Sequence, residues 1–164
     1  MGNRFVLLLI LCAVPATAQE DHSQHQHAVA GLGTVDFRTS CNAAAQALIS
    51  RAAALLHSFG YEESRIAFND AAKADPSCAM AYWGVARTWY HPIWASPSPE
   101  ELKQGAASMD RALAIDPKTG RERDYIQALS VFYKDWQTVD HVTRAKNYER
   151  ALAGVCDRNP NESA

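Results

Sequence analysis

The fold is decided by one stretch of the chain, Tyr82-Trp83-Gly84-Val85-Ala86-Arg87-Thr88-Trp89-Tyr90-His91. Two large aromatic residues, Tyr82 and Trp89, lie seven positions apart with small or aliphatic residues between them, which is the spacing of a helical stripe. The same pattern recurs in residues 48–57 and in residues 125–134. The sequence therefore predicts three related helical segments.

A second helix is predicted after each of these segments. Each one is indicated by a large and a small residue three positions apart on one helix face: Phe68 and Ala71, Met109 and Ala112, Tyr148 and Ala151. Proline cannot continue a helix, so these helices should end at Asp75-Pro76, Asp116-Pro117 and Asn159-Pro160. The middle one should begin with a capping box formed by Ser98 and Glu101, with Pro99 at the first helical position. The fold class predicted is all-α.

Two stretches carry a resemblance to a known repeat. Tyr82-x2-Val85-Ala86-x2-Trp89 and, before it, Ser64-x3-Phe68 with Ala71 and Pro76 resemble the two halves of the tetratricopeptide repeat, a helix-turn-helix unit of about 34 residues. The pattern departs at Arg51, where the family has leucine, and at Gly105, where it has alanine. The resemblance covers residues 41–160 and implies a short right-handed α-solenoid of about three repeats.

Other short segments of the sequence are similar to segments of one group of exported bacterial proteins with this repeat. They are Gly31-Leu32-Gly33-Thr34-Val35-Asp36-Phe37 before Ser40-Cys41, Leu55-Leu56-His57-Ser58-Phe59, Asp75-Pro76-Ser77-Cys78-Ala79-Met80-Ala81-Tyr82-Trp83-Gly84, and Arg121-Glu122-Arg123-Asp124-Tyr125. Those relatives are longer and have no established reaction. The resemblance therefore implies export and an amino-terminal piece of a longer protein, with residues 161–164 starting the continuation.

The amino end of the chain predicts export independently. Arg4, about ten apolar residues and the close Ala16-Thr17-Ala18 describe a secretory signal peptide over residues 1–18, too short for a membrane-spanning helix. Residues 19–40 follow as a polar leader and extended segment containing His22, His25 and His27. The protein is expected to be periplasmic or secreted, with no membrane segment after cleavage.

The composition excludes several classes of function. The 164 residues are 48% hydrophobic and 21% charged, with a net charge of −2, so neither wholesale disorder nor a basic nucleic-acid surface is indicated. The sequence contains no nucleophile elbow, no P-loop and no dinucleotide-binding glycine motif. We therefore expect no enzyme activity within these residues, and no cofactor.

The cysteines allow one disulfide within the predicted helices. Cys41 precedes the first helix and Cys78 follows the second, and in a helical hairpin with arms of equal length these points meet. We expect a Cys41–Cys78 disulfide, with two reduced, buried cysteines as the alternative. Cys156 is then left over, either free or paired with a part of the protein outside this chain.

The histidines offer a metal site as an alternative function. His57 and His91 occupy equivalent points of adjacent first helices, and Glu62, Glu63 or His141 could complete a set of ligands for Cu or Zn. The His-rich leader is a second candidate. No HExxH, CxxC or CxxCH motif is present, so each histidine could equally well hydrogen-bond a turn at a helix end.

The leading prediction is a protein-interaction scaffold. One face of the second repeat's first helix should carry the exposed binding residues Met80, Trp83, Arg87, Tyr90 and His91, while Tyr82, Val85 and Trp89 pack between helices. Aromatic residues and arginine are typical of binding hot spots, although Trp83 and Tyr90 could also be packing residues. The partner is expected to be a protein or peptide, or the remainder of a longer chain.

Overall fold

The structure is a computed structural model that describes residues 32–92 and 95–160. These residues form six α-helices and no β-strand: α1 (Ala43–His57), α2 (Tyr61–Ala74), α3 (Ala79–Thr88), α4 (Pro99–Ala114), α5 (Gly120–Tyr133) and α6 (His141–Arg158). The predicted all-α class is confirmed. The predicted signal peptide, the histidines of the leader and residues 161–164 lie outside the described residues.

Local signals in the sequence set the ends of the helices. The predicted capping box is present, because Ser98 accepts from the backbone N–H of Glu101 while Glu101 accepts from that of Ser98, with Pro99 opening α4. Thr119 and Glu122 form a second capping box at α5. Helix α2 ends just before Asp75-Pro76, as proline requires.

The helices pack as three consecutive pairs. Helix α1 packs on α2, α3 on α4 and α5 on α6, and each pair also contacts the next through α2 with α3 and α4 with α5. In addition α1 contacts α3 and α3 contacts α5, whereas α2, α4 and α6 do not contact one another within the described part of the chain. The first helices of the pairs therefore lie side by side. We call the surface formed by α1, α3 and α5 the first-helix face.

The three first helices bury the same stripe of positions. Its members, four and then three residues apart, are Ala45, Ile49 and Ala52 in α1, Ala79, Trp83 and Ala86 in α3, and Glu122, Ile126 and Leu129 in α5. This spacing puts each trio on one side of its helix. The stripe holds the first helices together, and Glu122 is its single charged member.

Two glycines let large rings approach a helix backbone closely. Phe68 of α2 is fully buried against Gly84 of α3, and the Tyr133 ring lies against Gly105 of α4. The Tyr133 hydroxyl donates to the backbone carbonyl of Ala86 at 2.7 Å. A side chain at position 105 would occupy the space of the tyrosine ring.

The predicted disulfide is present. Cys41 and Cys78 are joined, with their Cα atoms 5.1 Å apart, and they link the residue before the N-cap of α1 to the N-cap of α3. Cys156 is free and exposed. Asn42, the N-cap of α1, strengthens the same junction because its backbone N–H donates to Asp75 at 2.8 Å and its side chain donates to the carbonyl of Ala74.

None of the described helices is both long enough and apolar enough to cross a membrane.

Candidate functional site

An extended segment of the chain lies on the first-helix face. We call residues 32–40 the strap. Its exposure alternates as in an extended backbone: Val35, Phe37 and Thr39 are half-buried, while Asp36 and Arg38 are exposed. The strap contacts side chains from all three first helices, so it crosses the surface that the sequence predicted to bind a partner.

The strap places one aromatic ring on this face. The Phe37 ring stacks on Trp83 of α3, with centroids 5.6 Å apart, and meets Tyr125 of α5 edge-on at 5.9 Å. Trp83 and Tyr125 are themselves 5.8 Å apart, and the indole N–H of Trp83 donates to the backbone carbonyl of Tyr125. Such stacked and edge-on pairs add attraction beyond the burial of apolar area.

A side-chain amide from α1 holds the strap's backbone. The amide oxygen of Gln46 accepts from the backbone N–H of Thr39 at 2.7 Å and from its hydroxyl at 2.8 Å. The amide nitrogen of Gln46 donates to the carbonyl of Phe37 at 2.9 Å. Gln46 therefore satisfies one backbone donor and one backbone acceptor of the strap, as a neighbouring strand would.

A buried carboxylate from α5 holds the end of the strap. Glu122, only 1% exposed, accepts from the backbone N–H of Ser40 at 2.6 Å with one oxygen and from its hydroxyl at 2.7 Å with the other. Lys118 donates to the carbonyl of Ser40 at 3.3 Å, and Arg121 donates to the carbonyl of Arg38. These charge-assisted bonds are stronger than neutral ones, and they fix the strap's position along α5.

Two of the predicted binding residues are not available to a partner. Met80 is 1% exposed and Trp83 is 8% exposed. Trp83 belongs to the buried stripe of the first helices, and the Phe37 ring covers the remaining face of its indole ring. Their assignment to an open surface was therefore wrong.

Arg87 and Tyr90 are partly buried at the end of α3. Arg87 donates to the backbone carbonyl of Tyr90 at 2.6 Å, and its guanidinium lies 5.3 Å from the tyrosine ring. The Tyr90 ring packs on Phe132 at 4.3 Å and edge-on against Tyr148 at 5.8 Å. Burial raises the pKa of Tyr90. These contacts give both residues a packing role between α3, α5 and α6.

The three residues that the sequence assigned to helix packing differ in how deeply they are buried. Val85 is buried, whereas Tyr82 and Trp89 are half-buried. The Arg65 guanidinium lies 3.9 Å from the centre of the Trp89 ring, which it shields from solvent. Trp89 is therefore less completely buried than Trp83, the reverse of the sequence-based expectation.

The structure places the predicted metal ligands in separate surroundings. His57 is exposed at the end of α1. His91 uses both ring nitrogens for hydrogen bonds, to the carbonyl of Ala95 at 3.0 Å and to Glu101 at 3.2 Å. The backbone N–H of Ser98, and more weakly His91, lower the pKa of Glu101. His91 thus stabilises the turn between α3 and α4.

The remaining candidate ligands do not join these two. His141 packs beside the rings of Tyr90 and Phe132, and Glu62 pairs with Arg65. Within residues 32–92 and 95–160 no three His, Cys, Asp or Glu side chains are close enough together to hold a metal ion.

The strap contacts were not found from the sequence. One available signal was Glu122, a carboxylate at the position that alanine occupies in α1 and α3, as Ala45 and Ala79. A charged residue on an otherwise apolar stripe requires a partner. Glu122 has a local partner in the backbone N–H of Thr119 and a distant one in Ser40.

Comparison of the chain with protein-family models, with curated proteins and with solved structures found no match.

Proposed function

We propose that this chain is an exported scaffold that binds a polypeptide partner through its first-helix face. The observation that carries the proposal is that this face already holds an extended peptide segment, the strap. The segment is bound by aromatic stacking at Phe37 and by side-chain hydrogen bonds to its backbone from Gln46 and Glu122. Extended peptides are commonly recognised in this way, with backbone bonds giving affinity and a pocket giving specificity.

We propose further that the three helix pairs are tetratricopeptide-like repeats of a short right-handed α-solenoid. The proposal is supported by the contacts of α3 with both α1 and α5, while α2, α4 and α6 stay apart from one another over the described residues. Stacked helical hairpins pack in this way, each contacting only its neighbours. The equivalent buried stripes in the three first helices support the same arrangement.

Export is proposed from the signal-peptide pattern of residues 1–18. The Cys41–Cys78 disulfide is in keeping with this, since disulfides persist mainly in oxidising compartments outside the cytoplasm.

Site-specific photo-crosslinking tests the proposed function. Ser50 lies one helical turn after Gln46 and accepts from its amide at 3.1 Å, so a benzoylphenylalanine there reports on the first-helix face beside the strap. Leu113 of α4 is 51% exposed and serves as the control position. In cells that export the protein, we expect discrete adducts with other exported polypeptides from position 50 and none from position 113. Identical adduct patterns from the two positions would contradict the proposal.

A further inference from the structure

The strap occupies the site at which a partner would bind. Phe37 covers Trp83 and Tyr125, and Ser40 donates to both oxygens of the buried Glu122, one of which also accepts from the backbone N–H of Thr119. A polypeptide that uses these same groups can bind only after the strap has left them. The strap's contacts therefore describe both the ligand that fits this face and the obstacle to its binding.

The contacts specify a short pattern in such a ligand. An aromatic ring packs against both Trp83 and Tyr125. Gln46 bonds an extended backbone at that residue and at the second residue after it, and it also accepts from the hydroxyl of the latter. Glu122 then accepts from a residue that has both a backbone N–H and a hydroxyl. In the strap this pattern is Phe37-Arg38-Thr39-Ser40.

The second position of the pattern is unrestricted. The Arg38 side chain is 85% exposed and pairs with the exposed Asp36, so only its backbone carbonyl takes part in binding through Arg121. A ligand can therefore carry any side chain there.

The bonds that anchor the end of the strap to the helices are separate from the bonds that hold the strap on the first-helix face. Immediately after it, Cys41 is bonded to Cys78 and Asn42 is hydrogen-bonded to Asp75 and Ala74. These bonds keep the start of α1 in place whether or not residues 32–40 lie on the face. The chain can thus pivot at Cys41 without disturbing the helix pair.

We propose that the strap is a built-in ligand of the first-helix face, and that the partner is an extended polypeptide with the pattern aromatic-x-Thr-Ser that binds by displacing it. The inference rests on the proposed function and adds the chemistry of the partner. A tethered ligand acts at an effective concentration in the millimolar range. The strap therefore keeps the face closed to weak ligands and admits those that bind better than it does.

Fluorescence anisotropy with a labelled peptide tests the inference. The probe is a fluorescein-labelled synthetic peptide with the sequence of residues 32–40, titrated with the full-length oxidised protein. The Phe37→Ala variant loses the strap's aromatic anchor, whereas wild type keeps it. We expect the peptide to bind the variant at least about tenfold more tightly than wild type, because the tethered competitor has been weakened. A peptide carrying Phe37→Ala should bind neither protein.

A second strap variant and a control variant complete the experiment. Ser40→Ala leaves the aromatic contact and removes one hydrogen bond to Glu122, and it replaces Phe37→Ala if circular dichroism shows that the latter is not folded. Val142→Ala, at an exposed residue of α6, should bind the peptide as wild type does. Equal affinity of wild type and the strap variants, binding that ignores the peptide's aromatic residue, or no binding by folded strap variants would each overturn the inference.

The outcomes separate the two proposals. If the peptide fails to bind but crosslinks from position 50 still differ from those at position 113, the partner uses a part of the face beside the strap, and the proposed function stands. If both experiments fail, the proposed function fails as well.

Discussion

Among single residues, Gly84 leaves no room for a side chain, because the ring of Phe68 packs directly against it. A methyl group at Gly84 would overlap the fully buried ring of Phe68, which has no free space to move into. We expect Gly84→Ala to lower the free energy of unfolding by about 1–3 kcal/mol, the usual cost of overpacking. Gly120→Ala is the control, because a methyl group there meets nothing within 4 Å in α5. Urea unfolding of both variants checks this, and equal stabilities would contradict it.

Two tryptophans of the third helix region should differ in their contribution to stability. Trp83 is 8% exposed at the meeting point of the strap, α3 and α5, so Trp83→Ala should cost about 3–5 kcal/mol. Trp89 is half-buried and is covered by Arg65, so Trp89→Ala should cost clearly less. Thermal and urea melts of the two variants measure the difference. A larger loss for Trp89→Ala would mean that α3 is rotated from the position described.

His141 should make the protein less stable in mild acid. Its Nδ1 atom is buried with no hydrogen-bond partner among the described residues, beside the rings of Tyr90 and Phe132. Burial, and then the positive charge of Arg144, lower the pKa of His141 below its usual 6.5, while Asp140 opposes this. The folded protein thus binds this proton more weakly than the unfolded chain does. The contribution of neutral His141 to the free energy of unfolding is therefore fully present above about pH 6.5 and is lost as the pH falls.

Urea unfolding between pH 7 and pH 5 checks this expectation. The free energy of unfolding of wild type should decrease over this range, and His141→Gln should remove part of that decrease. His57→Gln is the matched control because His57 is exposed, and the pH dependence of the two variants is compared. If the two variants have the same pH dependence, His141 is not the group responsible.

Among the structural elements, the disulfide should have the largest effect for a single bond. It closes a loop of 37 residues that includes α1 and α2, and the chain-entropy model gives about 3–4 kcal/mol for such a loop. We expect Cys41→Ser with Cys78→Ser to lower the free energy of unfolding by this amount, and Cys156→Ser to have almost no effect.

Mass spectrometry should find the Cys41–Cys78 link, with Cys156 alkylated in the folded protein. A Cys78–Cys156 link would contradict the structure.

The helices were largely predictable because their signals are local. Ser98, Pro99 and Glu101 lie within four residues and together specify the start of α4. The proline stop at Pro76 acts on the residues immediately before it. The buried stripe that contains Ile49, Trp83 and Ile126 was not predicted, because the sequence assigned helix packing to the stripe of Tyr82 and Trp89 instead. Trp83 was misassigned because an aromatic residue fits a binding surface and a core equally well.

Across the chain as a whole, the strap was the part that sequence reasoning missed. Its residues show no helical period and follow a polar leader, so nothing local indicates burial. The contacts that hold it join Ser40 to a residue 82 positions away, Glu122, and Phe37 to Trp83 and Tyr125. Such contacts exist only after the three first helices have come together. The candidate site could not be predicted for the same reason, because whether its residues are open to a partner depends on the strap that covers them.

Residues 32–40 lie bound on the first-helix face of the folded protein. Amide hydrogen exchange of the oxidised full-length protein, followed by mass spectrometry, measures this directly. The backbone N–H groups of Thr39 and Ser40 donate to Gln46 and Glu122, so we predict that they exchange at least about tenfold more slowly than in the unfolded chain. Exchange of these amides at the unfolded rate, while those of α3 remain protected, would contradict the account.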